Sequence, residues 1–393
     1  MSGPLAGLTV LDFTRVFSGP YATLLLADLG ARVIKVEHPA RGDDSRAFGP
    51  FVAGTSGYFE SLNRGKESIA VDDSSAAGKA VLRRLVGHVD VLVENFRPGR
   101  MARLGLGYPD AAQWNPGLVY VSLSGFGQTG PLSANGCYDI VAQGYGGLMG
   151  LTGTPEVPVK TGPAVADAIS GLTAAVGLVA ALWRRERTGR GAYIDVGMVD
   201  ALFAVLENTL AGYDITGTVP PRAGNADAVL APFGSYRAAD GWLVIGVGND
   251  RLWRALAARI DPALADDPCF ATNADRVRHA DRLREILETW CSVRTVDAVL
   301  AELHAVGVPA GPVRDIAELA CDPHLEARGM LARIVLSDGT PLRVPGSPIH
   351  VDGQPPAMRR GPRLGEHTRA VLGEMAGMDE GEVERLVGGG VVA

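Results

Sequence analysis

The chain has 393 residues, of which 47% are hydrophobic and 21% charged, which is typical of globular proteins and excludes fibrous and extensively disordered classes. At roughly 150 residues per domain, this length predicts two or three domains. The formal net charge of −7 argues against a general binder of nucleic acid or of an anionic membrane.

The first 130 residues alternate strand-like and helix-like segments. Short apolar runs predict strands at 8–13, 31–37, 90–96 and from Leu118 onward, with helices at 20–29 and 76–87. Pro20 suits a first helical turn, and Gly30 is a natural helix stop. Continuous apolar strands separated by helices predict a parallel sheet covered on both faces, with ligands bound beyond the carboxyl ends of its strands.

Three loops follow those predicted strand ends, and each is rich in Gly, Pro and polar residues. They are TRVFSGP (14–20), ENFRPG (94–99) and SGFGQTGP (124–131). None carries GxGxxG at a strand-to-helix junction, and GxxxxGK[ST] is absent, so neither a dinucleotide site nor a P-loop is indicated. We still expect these loops to form the binding surface.

The second half of the chain opens with a long helix predicted from Ala166, and changes character after Tyr213. Asp167 at the start of the helix and arginines in its last turn suit the helix dipole at both ends. A strand-to-helix unit follows. Hairpins are then predicted at Asp240-Gly241 and Asp338-Gly339, with helices from 250, 275 and 296 and further helices in 365–388. This pattern predicts a smaller α+β domain after Tyr213.

The sequence favours a soluble protein of the cytoplasm. Four widely spaced cysteines with no CxxC pair argue against a disulfide framework or structural zinc. The N-terminus does not read as a signal peptide, and the most apolar stretch, 171–182, is too short to span a membrane.

Asp167 is the sharpest candidate for chemistry. It lies in TGPAVADAISG, a loop with Gly and Pro that leads into an almost wholly apolar helix. A carboxylate there faces helix amides and is partly desolvated, which is the setting of a nucleophile or a base. The alternative is an ordinary N-cap aspartate.

Two other groups have both a functional and a structural interpretation. Tyr138 and Asp139 lie between glycines, either as a polar pair over a ligand or as a packed tyrosine and a turn aspartate. Cations near the second loop either bind phosphates or form a solvated basic face; they are Lys66, Arg97, Arg100 and Arg103.

Metal and triad chemistry are not indicated. Seven scattered histidines show no HxxxH or HExxH spacing, so we expect no metal site. There is no GxSxG elbow, which argues against a serine triad.

Motifs in the same order over nearly the whole chain resemble family III CoA-transferases, the group that includes formyl-CoA transferase. They include GLTVLDFTRVFSGPYATLLLADLGARVIKVE, VENFRPGRMARLGLGY, YVSLSGFGQTGP, YDIVAQGYGG, RTGRGAYIDVGMVDA and GPRLGEHT. The resemblance implies an α/β fold with a Rossmann-like, parallel-sheet large domain built from 1–212 and a returning C-terminal segment, 345–393. It also implies a small α+β domain over 222–332 and a homodimer of interlocked chains.

The resemblance also implies the chemistry. Asp167 corresponds to the family's catalytic aspartate, whose carboxylate attacks an acyl-CoA thioester to form a mixed anhydride and then an aspartyl-CoA thioester. An incoming free carboxylic acid then takes up CoA through a second anhydride. Tyr138 falls at a tyrosine near the reacting carbonyl, and the expected CoA-site residues are Val16, Lys66, Asn95, Phe96 and Arg103.

Three departures from formyl-CoA transferases bear on substrate choice. Phe17 stands where they have Gln, His38 where they have Arg, and NADAVLAP (225–232) where they have a run of glycines. These departures favour a bulkier acyl group, such as a dicarboxylic or branched acid, over formyl-CoA and oxalate.

Two alternatives remain beside the transferase. The α-methylacyl-CoA racemases share the aspartate but use a histidine and a glutamate, where this chain has Tyr138 and Asn249, so a second base is missing. A non-catalytic acyl-CoA-binding protein is the other, and it predicts that Asp167→Ala leaves ligand affinity intact.

Overall fold

The structure is a computed structural model that describes residues 3–393. Its contacts group into two compact units. The first takes the described chain up to Gly146 together with Thr161–Leu206 and Asp322–Ala393, and the second takes Gly147–Lys160 and Glu207–Cys321. The sequence-based borders at 212 and 222 fall inside the second unit, and those at 332 and 345 fall inside the first.

The helices and strands of the described chain follow the predicted alternation over most of its length. The strands are β1 (Thr9–Asp12), β2 (Arg32–Glu37), β3 (Phe51–Val52), β4 (Thr55–Ser56), β5 (Glu67–Ala70), β6 (Val91–Glu94), β7 (Val119–Ser124), β8 (Ala192–Gly197), β9 (Phe233–Arg237), β10 (Trp242–Gly246), β11 (Ala310–Pro312), β12 (Leu331–Val335) and β13 (Pro341–Pro345). The helices are α1 (Ser18–Asp28), α2 (Gly57–Asn63), α3 (Ala76–Val86), α4 (Arg100–Leu104), α5 (Tyr108–Trp114), α6 (Asp139–Tyr145), α7 (Leu148–Leu151), α8 (Val165–Thr188), α9 (Met198–Phe203), α10 (Thr209–Thr216), α11 (Asp250–Ile260), α12 (Asn273–Arg278), α13 (Ala280–Ser292), α14 (Val296–Ala305), α15 (Ile316–Leu319), α16 (Pro323–Ala327), α17 (Thr368–Met375) and α18 (Glu380–Gly388).

A six-stranded sheet forms the centre of the first unit. Its order is β5-β2-β1-β6-β7-β8, and every neighbouring pair is parallel. The chain builds the sheet outward from β1 in one direction and from β6 in the other, so the topological switch point lies between these two strands. Ligands of open parallel sheets bind at that point, beyond the carboxyl ends.

The sheet is buried because its strands are apolar on both faces. Leu11, Ile34 and Leu92 are completely buried and belong to one hydrophobic cluster, which α3, α17 and α18 complete. The predicted α/β class is thereby confirmed. The edge strand β5 was missed by the sequence analysis, because its ESIA sequence has only two apolar residues.

The second unit is built on a three-stranded sheet of order β11-β10-β9. The strands β9 and β10 form the antiparallel hairpin predicted at Asp240-Gly241. Buried side chains from this sheet and from α11, α13 and α14 share one core, which includes Leu243, Trp253, Leu287 and Leu303. The second predicted hairpin, β12–β13, also forms, but it belongs to the first unit.

Helix α8 has two different faces. Ser170, Gly171, Ala174, Leu178 and Leu182 are buried, whereas a stripe at helical spacing is exposed, namely Leu172, Val176, Val179 and Trp183. By length and composition alone α8 is apolar enough to cross a membrane, although the core helix of a soluble protein meets the same criterion. About a third of the most apolar 18-residue segment of α8 is buried within this chain.

Candidate active site

A cavity of about 390 Å³ opens at the switch point of the large sheet. Residues 15–18, 95–98 and 123–125 line it, together with 135–138, Val141, Asp167 and Met198. The three loops that the sequence singled out therefore meet around one space. Asp167 and Tyr138 face it as well.

A larger cavity, of about 840 Å³, lies near the amino ends of β1, β2 and β5. Its buried charges, Arg64 and Asp28, are paired with each other through two hydrogen bonds. The smaller cavity is the better candidate site because Asp167, which lines it and is largely shielded from water, has no cationic partner among residues 3–393.

Asp167 is the third residue of α8, and it does not cap the helix. The N-cap position is occupied by Ala164, which has no side-chain cap. Asp139 supplies the cap from another segment, because its Oδ1 accepts hydrogen bonds from the amides of Ala166 (2.8 Å) and Asp167 (3.3 Å). The N-cap alternative for Asp167 is therefore wrong, and its carboxylate is left for the cavity.

Asp139 is fixed in this capping position by a buried amide. Its Oδ2 accepts a hydrogen bond from Gln143 Nε2 at 2.6 Å, and Gln143 Oε1 accepts one from the Thr161 amide at 2.9 Å. Gln143 is completely buried. Asp139 is thus a structural residue, whereas Tyr138 beside it is 75% exposed on the cavity wall and is not packed.

The environment of Asp167 favours its neutral form. Burial raises the pKa of this carboxyl to about 7, and the negative charge of Asp139 adds to the effect. A hydrogen bond with the Ser18 side chain opposes both. No lysine or arginine within residues 3–393 enters this balance, so Asp167 exchanges its proton near neutral pH.

Two neighbouring groups stay protonated under the same conditions. Burial, and then the charge of Asp167, raise the pKa of Tyr58 to about 12 and that of the Cys137 thiol to about 11. Of these three groups, only Asp167 changes charge near neutral pH. It is therefore the one suited to act as a nucleophile or base there.

Asn95 fixes the first loop of the cavity. Its Oδ1 accepts a hydrogen bond from the Arg15 amide, and its Nδ2 donates one to the Arg15 carbonyl, both at 2.8 Å. Val16 follows directly, with a φ of +65°. Two of the five predicted CoA-site residues, Val16 and Asn95, thus line the cavity.

Phe96 lines the cavity between two cations. The guanidinium carbons of Arg15 and Arg100 lie 5.2 and 4.7 Å from the centre of its ring. Its amide donates a hydrogen bond to Glu94 Oε2 at 2.8 Å. This arrangement leaves an aromatic surface beside positive charge, which suits an anionic ligand with apolar segments.

The other two predicted CoA-site residues are not part of the cavity wall. Arg103 is exposed near the end of α4. Lys66 is buried, and its Nζ lies within hydrogen-bonding distance of four oxygens that belong to Asp12, Pro20, Thr23 and Asn63. Burial lowers the pKa of Lys66 to about 8, against the opposing effect of Asp12. Its hydrogen-bonding capacity is used inside the protein.

Structural partners are found for two of the departures from formyl-CoA transferases, Phe17 and His38, and for Asn249, which stands where the racemases have a glutamate. Phe17 lies in the cavity wall, with its ring 5.8 Å from that of Tyr21 and 6.4 Å from that of Tyr58. His38 Nδ1 accepts a hydrogen bond from the Ala40 amide. Asn249 is the N-cap of α11, where its side chain accepts a hydrogen bond from the Leu252 amide at 3.0 Å.

Sequence reasoning missed Ser18, Tyr58 and Cys137 as site residues. Ser18 lies in the first of the three loops, so its position was a usable signal. Tyr58 lies on α2, where no element was predicted, and no sequence pattern marked it. Cys137 directly precedes Tyr138, but its packing near Asp167 depends on tertiary structure.

The fold and the cavity define an α/β protein with a carboxylate of raised pKa at the switch point of its sheet. Residues 5–368 match the model of CoA-transferase family III. The chain is 43% identical to acetyl-CoA:oxalate CoA-transferase of Acetobacter aceti and 41% identical to succinate–glutarate CoA-transferase of Agrobacterium fabrum, in each case over 95% of this chain and 96% of the relative. A crystal structure of a CAIB/BAIF family protein from Brucella suis aligns with a TM-score of 0.83 at 39% identity, over 95% of this chain and 100% of that one.

The chain therefore belongs to family III of the CoA-transferases, as its motifs indicated. It is an enzyme that moves CoA between an acyl-CoA donor and a carboxylic acid acceptor. Among residues 3–393, no group of three or more His, Cys, Asp or Glu side chains is placed to hold a metal ion.

Proposed function

We propose that the enzyme transfers CoA from an acyl-CoA to a short dicarboxylic acid, with Asp167 as the nucleophile. The relatives support the acceptor class, because the acids in their names are oxalate, glutarate and, for an enzyme of Haloarcula marismortui at 38% identity, mesaconate. All three are dicarboxylic acids. Oxalate stays among the acids to be tested, although the departures at Phe17 and His38 favour a longer one.

The observation that carries the mechanism is the position of Asp167. Its carboxylate lies on the cavity at the switch point, without a cationic partner and with a pKa near 7. A carboxylate of raised pKa is a stronger nucleophile than an ordinary one and is still ionised in a large fraction of molecules at neutral pH. The buried apolar side chain of Met198 helps to keep water away from a reactive anhydride.

The proposed reaction preserves the free energy of the thioester bond through four acyl-transfer steps. An Asp167 oxygen attacks the donor carbonyl, the C–S bond breaks, and CoA leaves as a thiolate from an acyl-aspartyl anhydride. The thiolate attacks the Asp167 carbonyl and releases the donor acid, which leaves an aspartyl-CoA thioester. The acceptor carboxylate then displaces CoA from Asp167. The thiolate finally attacks the acceptor carbonyl and frees the Asp167 carboxylate.

Tyr138 is the proposed hydrogen-bond donor to the oxyanion of these steps. Its ring lies on the cavity wall and its exposure leaves the hydroxyl accessible to a substrate. Val16, Asn95 and Phe96 are the proposed contacts for the CoA arm. Lys66 and Arg103 lie outside the cavity wall, and we give Lys66 no direct contact with CoA.

Mass spectrometry of CoA thioesters tests the function. Purified protein receives succinyl-CoA or acetyl-CoA with a mixture of dicarboxylic and monocarboxylic acids. New thioesters of the dicarboxylic acids are expected, and Asp167→Ala should abolish them, whereas the exposed control Asp214→Ala should not. Hydroxylamine added with the donor should convert Asp167 into a hydroxamate in the 161–184 tryptic peptide. New thioesters from the Asp167→Ala protein would contradict the mechanism.

The same reaction run in D₂O with 2-methylacyl-CoA added separates the transferase from a racemase. A 2-methylacyl-CoA that gains deuterium at its α-carbon, with no new thioester formed, would support proton abstraction by Asp167 instead of nucleophilic attack. Binding of acyl-CoA without either reaction would support the non-catalytic alternative.

We also propose that the enzyme is a cytoplasmic homodimer without a membrane partner. The exposed stripe on α8, with Val176 71% and Trp183 62% exposed, is an apolar surface that a second copy would cover. Sedimentation should give a dimer, and Val176→Glu should shift it toward monomer, whereas Val293→Glu in the second unit should not. A wild-type monomer would overturn this proposal.

A further inference from the structure

The loop between β1 and α1 is strained at the cavity. Val16 has a φ of +65°, the left-handed region that a β-branched residue rarely adopts. Such a conformation is retained only where the surrounding structure enforces it, and it is concentrated at functional sites. The question is which groups hold Val16 in place.

The backbone of three consecutive loop residues, Thr14, Arg15 and Val16, is held by three different side chains. Lys35 Nζ donates a hydrogen bond to the Thr14 carbonyl at 2.7 Å. Asn95 bonds both the amide and the carbonyl of Arg15. The amide of Val16 itself donates to Asp43 Oδ1 at 3.2 Å.

Asp43 is held in place by an ion pair and by hydrogen bonds. Its Oδ2 lies 2.7 Å from Lys35 Nζ, and both side chains are completely buried. Its Oδ1 also accepts hydrogen bonds from the amide and the hydroxyl of Ser45. Burial would raise the pKa of Asp43, but the Lys35 charge and the hydrogen bonds from Lys35 and Ser45 together outweigh it and hold the pKa below its usual value. The acceptor of the Val16 amide is therefore a carboxylate that is charged at neutral pH and held by Lys35 and Ser45.

The loop ends at Ser18, which lies against the nucleophile. Ser18 is buried, and its hydroxyl accepts a hydrogen bond from Asn95 Nδ2 at 3.3 Å. Helix α8 approaches it closely because residue 171 is glycine, where a Cβ atom would lie 2.6 Å from the Ser18 carbonyl oxygen. A small movement of the loop therefore changes the contact between Ser18 and Asp167.

We propose that Asp43, supported by Lys35, is a positioning residue that holds Val16 in its left-handed conformation and so keeps Ser18 in contact with the Asp167 carboxylate. This inference rests on the proposed role of Asp167. Through that contact, Asp43 influences the protonation of the nucleophile without touching substrate.

The groups that face Asp167 define the expected direction of the effect. Asp139 on α6 raises the pKa of Asp167, and Ser18 on α1 lowers it. Tyr58 on α2 and Cys137 before α6 are near enough to sense its charge, and both are neutral. Because Ser18 alone opposes burial and Asp139, loss of its contact leaves Asp167 protonated up to a higher pH.

A double-mutant cycle between positions 43 and 16 tests the proposal. Asp43→Asn should move the acidic limb of the pH profile of kcat/KM upward and reduce kcat at pH 7 by roughly tenfold, with a smaller change in the KM for acyl-CoA. Val16→Gly removes the need for a clamp, because glycine adopts this φ without strain. The double variant should therefore recover much of the loss caused by Asp43→Asn.

Additive effects, or a pH profile that is unchanged in Asp43→Asn, would overturn the proposal and leave Asp43 as a stabilising residue only. Ser45→Ala is the matched control, since it removes another hydrogen bond to the same Asp43 oxygen but leaves Val16 bonded. Ser45→Ala should not move the acidic limb of the pH profile.

Two further measurements keep the outcomes separate. If Asp43→Asn does not fold, as judged by circular dichroism, Ser18→Ala replaces it, and an unshifted acidic limb in that variant overturns the proposal. Activity in Asp167→Ala would reject the proposed function itself. An inactive Asp167→Ala together with an unshifted Asp43→Asn would reject only the positioning role.

Discussion

Two sets of carboxylates in the first unit have opposite surroundings. Beneath the loop between β1 and α1, Asp12 and Asp43 are paired with Lys66 and Lys35 in a network that is completely buried. At the cavity, the pKa of Asp167 is set by burial, by another carboxylate and by a serine, with no lysine or arginine of residues 3–393 contributing. The first set stabilises the fold around the site, and the second is available for chemistry.

The contributions of the two sets to folding stability change with pH in opposite directions. Burial would raise the pKa values of Asp12 and Asp43, but the lysine charges lower them, so their stabilising contribution is present at neutral pH and is lost as the pH falls through those lowered values. The pKa of Asp167 is raised from 3.8 to about 7, so the folded state favours its protonated form. The contribution of Asp167 to folding stability is therefore fully present below its pKa of 3.8 in the unfolded chain. It is lost as the pH rises through its pKa of about 7 in the folded protein.

The largest expected effect is the loss of activity in Asp167→Asn. The amide has almost the same shape but is a poor nucleophile, so we expect transfer to fall by at least about 10³-fold, as measured by kcat for thioester exchange. Asp214→Asn on the surface is the control. Substantial residual activity would remove the distinction between the two sets of carboxylates.

The next effect is the loss of stability in Lys66→Met. Removal of the ammonium leaves Asp12 buried without its nearest cation, which costs about 3–5 kcal/mol when one partner of a buried pair is deleted. Urea unfolding measures the effect, with Lys79→Met on α3 as the control. Unchanged stability with a raised KM for acyl-CoA would instead assign Lys66 to the CoA site, as the family resemblance implied.

Asp167→Asn should also make the folded protein more stable, but only at higher pH. Because the raised pKa means that ionisation of Asp167 opposes folding, its replacement should add about 2 kcal/mol near pH 8 and almost nothing near pH 4. Thermal unfolding at the two pH values measures the difference. A stability gain that is equal at both would show that burial of the charge is not its cause.

The sequence predicted most of the framework and the meeting of the three loops, because these follow from local apolar patterns. It also singled out Asp167, through the family motif and its place before an apolar helix, and this carboxylate lies on the cavity. The capping role of Asp139 was not predictable, since the amides that it accepts from lie on a helix distant in sequence. The pairing of Lys66 with Asp12 was hidden for the same reason, because a lysine in an NRGK segment looks like a surface cation.

The smallest effect, and the sharpest contrast, is expected at Glu94. Burial raises the pKa of this carboxyl to about 7, as it does for Asp167, but Glu94 lies outside the cavity wall, where it accepts a hydrogen bond from the Phe96 amide. Glutamine keeps an acceptor for that amide, so Glu94→Gln should change kcat less than about threefold and add about 1 kcal/mol of stability near pH 8.

The pair Asp167→Asn and Glu94→Gln makes the same chemical change in two carboxyls of similar pKa, only one of which reaches the cavity. Similar gains in stability with a large difference in activity would show that access to substrate, and not the pKa, makes a buried carboxylate catalytic. A loss of activity in Glu94→Gln as large as that in Asp167→Asn would assign Glu94 a direct part in the reaction.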